Sequence, residues 1–223
     1  MQRSADLSDR SRSGMVHLLR LVSPSQPAGA FSYSRALDWA VHAGTVNDEE
    51  SAASWIFGLI DHSYAALDGA LFWRMMQALQ AGDQAAFLKA DAWLSAARES
   101  REIELEDRRM GESLLRLLQD LDVPYARTLT ERKLGFPAAF ALAAAHWKID
   151  PEDALRGLLW SVIENQVMAA IRLVPLGHTA GQRILVASPP VIERAAQKAA
   201  SLPDEEIGNA APAMAMASAW HET

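Results

Sequence analysis

"DPEDALRGLLWSVIENQVMAAIRLVPLG", residues Asp150 to Gly177, decides the fold class. Asp150 can cap a helix, Pro151 suits its first position, and Glu152 and Asp153 complement the positive end of the helix dipole. Arg172 falls in the last turn, and Pro175 with Gly177 ends the run. The segments on either side repeat this helical spacing. "MVHLLRLV" (Met15 to Val22) reads as a short apolar helix. In "SRALDWAVHAG" Leu37, Ala40 and Val41 share a face, Ser34 is a candidate N-cap and Gly44 a stop. From Asp48 a helical pattern runs to a break at Gly82, and Asp83 can cap the next helix, to about Ala97. "SREIELEDRRMGESLLRLLQDL" spaces Ile103, Met110, Leu114, Leu117 and Leu118 helically until Val123–Pro124 breaks the pattern. Helices are also expected over Gly181 to Val186 and in "PVIERAAQKAASL". No apolar–polar alternation is long enough for a strand, and no repeat or linker divides the chain. The expectation is an all-α, single-domain helical bundle of about nine or ten helices.

Composition excludes several classes of function. Of 223 residues, 50% are hydrophobic and 22% charged, the balance of a globular chain that can bury a large core. A net charge of −7 argues against general binding to nucleic acid or anionic membranes. There are no cysteines, so disulfides, thiolate metal sites and cysteine nucleophiles are ruled out. The absence suits a reducing cytoplasm. Residues 1–13, "MQRSADLSDRSRS", have no apolar core like that of a signal peptide and read as a flexible leader. No apolar run approaches the ~20 residues that span a bilayer.

Catalytic motifs are missing as well. The sequence contains no G-x-x-x-x-G-K-[ST] phosphate loop, no G-x-G-x-x-G and no G-x-S-x-G elbow. The six histidines, at 17, 42, 62, 146, 178 and 221, form no H-x-H or H-E-x-x-H pair. A metal-binding chaperone would have to use dispersed residues such as His17, His42 and His221. The loop "SPSQPAGAFSYS", Ser23 to Ser34, offers serines to a helical hydrolase but no positioned base. Its serines read as caps, Pro24, Pro27 and Gly29 as a bend, and Phe31 and Tyr33 as anchors or contact residues.

Three further features stand out. Nine charges lie between Arg98 and Arg109, where Arg98–Glu102 and Glu104–Arg108 have i,i+4 spacing. They read as a solvated face or as a dock for a protein partner. Ser161, Asn165 and Arg172 fall near one face of the 150–172 helix, either buried and mutually satisfied or exposed as a narrow polar surface. The tail "PDEEIGNAAPAMAMASAWHET" is rich in methionine and small residues. That composition suits a packed terminal helix or an adaptable contact with a partner.

Four of these segments, taken in order, resemble the UreF family of urease accessory proteins. They are "LLRLVSPSQPAGAFSYSRALDWAVHAGTV", "ARESRE…RRMG", "ENQVMAAIRLVPLGHTAGQ" and "IGNAAPAMAMASAWHET". The family more often has Gly-Leu-Glu where this chain has Ala36-Leu37-Asp38. The resemblance runs from about Met15 to Thr223 and implies a UreF-like all-α domain over 14–223, with 203–223 as a partner-binding tail. It implies a cytoplasmic homodimer that is not an enzyme, holds no cofactor and binds neither nucleic acid nor membrane. Such a protein bridges UreD (also called UreH) and the GTPase UreG to apo-urease and modulates GTP-dependent nickel delivery. Carried over, Gly208, Pro212, Met214, Met216, Trp220, His221, Glu222 and Thr223 would face UreD, and Arg172 the GTPase. Phe31 and Tyr33 join them as candidate contact residues.

Overall fold

The computed structural model describes residues 13–24, 36–129 and 132–208, and these residues form helices with no strand among them. A first helix, α1, covers 13–21. It is followed by α2 (Leu37–His42), α3 (Glu49–Leu59), a π-helical segment (Ile60–Asp68) and α4 (Gly69–Ala81). Then come α5 (Gln84–Ala96), α6 (Arg101–Asp120), α7 (Pro124–Thr128) and α8 (Phe136–His146). The chain continues through α9 (Pro151–Leu173), α10 (His178–Ala187) and α11 (Pro189–Ser201), with a 3-10 turn at Asp204–Glu206. The all-α expectation holds.

The boundaries follow local chemistry. Asp48 caps α3 by accepting from the Ser51 N–H at 2.8 Å, while the Ser51 hydroxyl accepts from the Asp48 N–H. Asp83 caps α5 through the Ala86 N–H, and Asp150 caps α9 through the Glu152 N–H. Gly82 ends α4 in the left-handed region at φ 71°, a conformation that suits glycine. Ser34, the expected cap of α2, lies outside the described residues. The residue before that helix is Ala36, at φ 65° and ψ 7°. That position is left-handed, a conformation that favours glycine over alanine.

The core is organised around α8, whose residues from Phe136 to Ala144 are all buried. A helix that is apolar all round belongs in the interior, and α8 packs against α4, α6, α9 and α5. Its alanines let these neighbours approach closely. Phe140 meets Phe72 of α4 edge-to-face, with ring centroids 6.0 Å apart. Burying a phenylalanine fully contributes roughly 1.5–3 kcal/mol. Gly111 of α6 lies against the segment leading into α8, where an added Cβ would sit 2.1 Å from the Leu134 carbonyl oxygen. Among the described residues no helix is long and apolar enough to cross a membrane.

Candidate interaction surface and the buried ion cluster

Arg172 emerges where α9 reaches the surface. Ser161, Asn165, Met168 and Arg172 follow one another at i, i+4, i+7 and i+11 and therefore share a face. That face is neither wholly buried nor wholly exposed. Ser161 is buried and donates to the Leu158 carbonyl at 2.7 Å. Asn165 is half-buried, Met168 is 42% exposed and Arg172 is exposed. The row thus runs from the core to the solvent within three turns. Arg172 lies in the last turn of α9, where a cation meets the negative end of the helix dipole. Beside it, α10 packs against α9 through Gly181, where a Cβ would come within 2.5 Å of Ile171 Cδ1. Arg183 of α10 holds Glu49 of α3 and closes this side of the bundle. The Glu164 carboxyl, half-buried nearby, is pushed above its ordinary pKa by desolvation.

The root of the C-terminal tail is pinned at the π segment. The Gly208 N–H donates to the Ala66 carbonyl at 3.1 Å, and Ile207 is buried. Arg74 of α4 donates to Asp204 at 2.9 Å and to the Leu202 carbonyl. The sequence expectation placed Gly208 at the start of the partner-facing tail, and the fold fixes that residue on the π segment. Pro212, Met214, Met216, Trp220, His221, Glu222 and Thr223 lie outside the described residues, as do Phe31 and Tyr33.

At the C-terminal end of the π segment, two residues beyond Ala66, four elements meet on a buried set of charges that the sequence reading missed. Arg98 Nη2 lies 2.7 Å from Asp68 Oδ1 and 3.1 Å from Asp107 Oδ2, and all three side chains are at most 5% exposed. Burial alone would lower the Arg98 pKa, but Asp107 and Asp68 outweigh it and hold the guanidinium charged. Alongside, Asp91 accepts from the Gly135 N–H at 3.0 Å. The Asp91 carboxyl is pushed up by burial, against the Gly135 hydrogen bond and the charge of Arg108. A Cβ on Gly135 would fall 2.6 Å from Asp107 Oδ2, so the N-terminus of α8 can reach the cluster only through glycine. The cluster therefore ties together the end of the π segment, α5, α6 and the start of α8.

This arrangement corrects one reading. Arg98 precedes α6, whose cap is Ser100 accepting from the Ile103 N–H, so Arg98 and Glu102 do not share a helix. The Glu104–Arg108 pair does form, at 3.8 Å. A signal for the cluster was present in the sequence. Asp107 falls in the apolar register of Ile103, Met110 and Leu114, where a charge demands a buried partner.

The histidines are dispersed. His17 of α1 stacks on Trp147, with ring centroids 5.4 Å apart, and Arg20 lies 4.0 Å above the same ring. His42 is exposed at the end of α2, and His221 lies outside the described residues. Among the described residues no three histidine, aspartate or glutamate side chains gather as a metal ion would need.

Comparison with known proteins gives one consistent result. The family model UreF matches residues 46–188. A Brucella anthropi protein named urease accessory protein UreF 2 is 67% identical over 210 residues, covering 94% of this chain and 92% of its own length. Proteins named urease accessory protein UreF from Alkalilimnicola ehrlichii and Hahella chejuensis are 43% and 40% identical. They cover 92% and 94% of this chain, and 91% and 94% of their own lengths.

Proposed function

The chain belongs to the UreF family of urease accessory proteins, and from that premise we propose that it acts as an adaptor in nickel insertion. It joins UreD (UreH) and the nickel-carrying GTPase UreG to apo-urease and modulates GTP-dependent nickel delivery. It performs no catalysis itself. It works in the cytoplasm as a homodimer. The observation that carries the reading is likeness over nearly the whole chain to proteins named urease accessory protein UreF.

The geometry supports a division of labour between two surfaces. Arg172 and Met168 form an exposed cationic and apolar spot on a long, capped helix, a rigid mount for recruiting the GTPase. Gly208, held on the Ala66 carbonyl, gives the tail a fixed point of departure toward UreD. Beyond it, Pro212, Met214, Met216, Trp220, His221, Glu222 and Thr223 supply the adaptable contacts, with Phe31 and Tyr33 as further contact residues.

Co-purification tests the reading. The full chain is expected to retain UreD and, through the complex, UreG. Arg172→Glu is expected to weaken GTPase recruitment while leaving the melting temperature and UreD binding unchanged. Retention of neither protein by the wild-type chain would overturn the adaptor reading, and unchanged recruitment by the variant would remove Arg172 from the site.

A further inference from the structure

Helix α1 is bound to the bundle on one side and bare on the other. Gly14, Leu18 and Leu21 are buried. Helix α9 admits Leu18 and Val22 only through Gly157, where a Cβ would meet Leu18 Cδ1 at 2.5 Å. His17 and Arg20 both lie on the Trp147 ring, which fixes the helix about its own axis. The face held outward carries Met15, Leu19 and Val16, exposed by 48%, 61% and 65%. At ~3.6 residues per turn these three fall within roughly 100° of arc, with Arg20 at one edge. Among the described residues no other helix exposes three large apolar side chains.

Beside this strip lies a socket. A cavity of about 460 Å³ opens between α1, α4 and the turn from α8 into α9, and Met15, Leu18, Met76, Leu79 and Ile149 line it. Lys148, Asp150 and Asp153 line it as well, two acids against one base, and Asp153 also reaches Arg156 at 3.5 Å. Met15 belongs to both strip and socket, so the two adjoin. Arg20, at the opposite edge of the strip, holds no carboxylate among the described residues.

A strip and a socket side by side on one surface are self-complementary. A two-fold axis close to Met15 lays the Leu19–Val16 strip of one copy over the socket of the other, and does the reverse at the same time. The same rotation carries Arg20 toward Asp150 and Asp153 of the second copy. Composition also favours a second copy over a partner that comes and goes. Permanent homodimer interfaces are the more apolar kind, and this strip holds no acid and one base at its edge.

We propose that α1 is a homodimer contact, in which the Met15–Val16–Leu19 strip of one copy seats in the socket beside Met15 of a second copy. The inference deepens the homodimer part of the proposed function and uses neither Arg172 nor the tail.

Sedimentation of the full chain over a concentration series tests it. Wild type should be dimeric. Each substitution is present twice across a two-fold axis, so Leu19→Ala should raise the dimer Kd at least about tenfold. The double variant Val16→Asp, Leu19→Asp should be monomeric with unchanged helix content, because both side chains are exposed. Gln80 is exposed and lines the socket, so Gln80→Trp should fill the socket and weaken the dimer with the strip intact. Arg20→Glu should weaken it at low salt and less as salt rises. A wild type that is monomeric at every concentration ends the homodimer reading. If that monomer dimerises once residues 2–12 are removed, the socket belongs to the chain's own N-terminal segment. A dimeric wild type whose strip and socket variants dimerise equally well ends only the α1 proposal. Variants that stay dimeric but lose UreD or UreG would also overturn it, by giving the strip to that protein.

Discussion

Arg98→Met is the perturbation that the structure constrains most tightly. The guanidinium lies 2.7 Å from Asp68 and 3.1 Å from Asp107, and both carboxylates are buried. Removing the cation leaves two buried acids facing each other, and breaking a buried pair from one side costs about 3–5 kcal/mol. That is a large share of the roughly 5–15 kcal/mol that holds a typical domain folded. In a chain of this size, at about 2–4 °C per kcal/mol, the melting temperature should fall by roughly 6–20 °C. The loss comes from uncompensated charge rather than from lost volume. The triple variant Asp68→Asn, Arg98→Met, Asp107→Asn should therefore recover more than half of it. Thermal and urea denaturation of the three proteins would measure both effects. A loss below about 1 kcal/mol for Arg98→Met, or a triple variant no more stable than the single one, would refute the reasoning.

Three further outcomes follow from local chemistry. The Asp91 carboxyl titrates above its ordinary value of 3.8, so between the two values the native state keeps a proton that the unfolded chain has lost. Stability from this group therefore falls as pH rises through that window. Against Asp91→Asn, which keeps an oxygen for the Gly135 N–H, wild type should lose stability across the window and then hold a constant difference, as urea melts over a pH series would record. Ala36→Gly should stabilise the chain by about 1 kcal/mol, because a left-handed residue carries strain that glycine lacks. An unchanged urea midpoint would count against strain at this position. Gly111→Ala should destabilise it by roughly 1–3 kcal/mol, since the new methyl meets backbone at 2.1 Å and the flexible end of no side chain can yield. A melting temperature equal to wild type would show that α6 and the 132–135 segment can separate freely.

Much of the fold was legible where helices begin at a side-chain cap or stop at a glycine. Asp48, Asp83 and Asp150 each announce a start, and Gly82 announces a stop. The central helix was not legible: α8 is apolar on every side, so periodicity has no polar face to register. The π segment was hidden for a different reason, since Ile60–Asp68 differs from its flanking helices in hydrogen-bond register rather than in composition. Of the candidate site, the sequence left the Ser161–Asn165–Arg172 face open between burial and exposure, because the row crosses from the buried Ser161 to the exposed Arg172 and fits neither alternative whole. The Asp68–Arg98–Asp107 cluster could not be assembled from sequence. Its members come from three elements, and only the register of Asp107 hinted that a buried charge needed a partner.

Urease activation in cells tests the central claim most directly. In a urease-positive host deleted for its own gene of this family, expression of the full chain should restore nickel-dependent urease activity. Arg172→Glu, accumulating to the same level, should restore much less. A wild-type chain that is folded and abundant in those cells, retains UreD and UreG, and still leaves urease without activity would contradict the account.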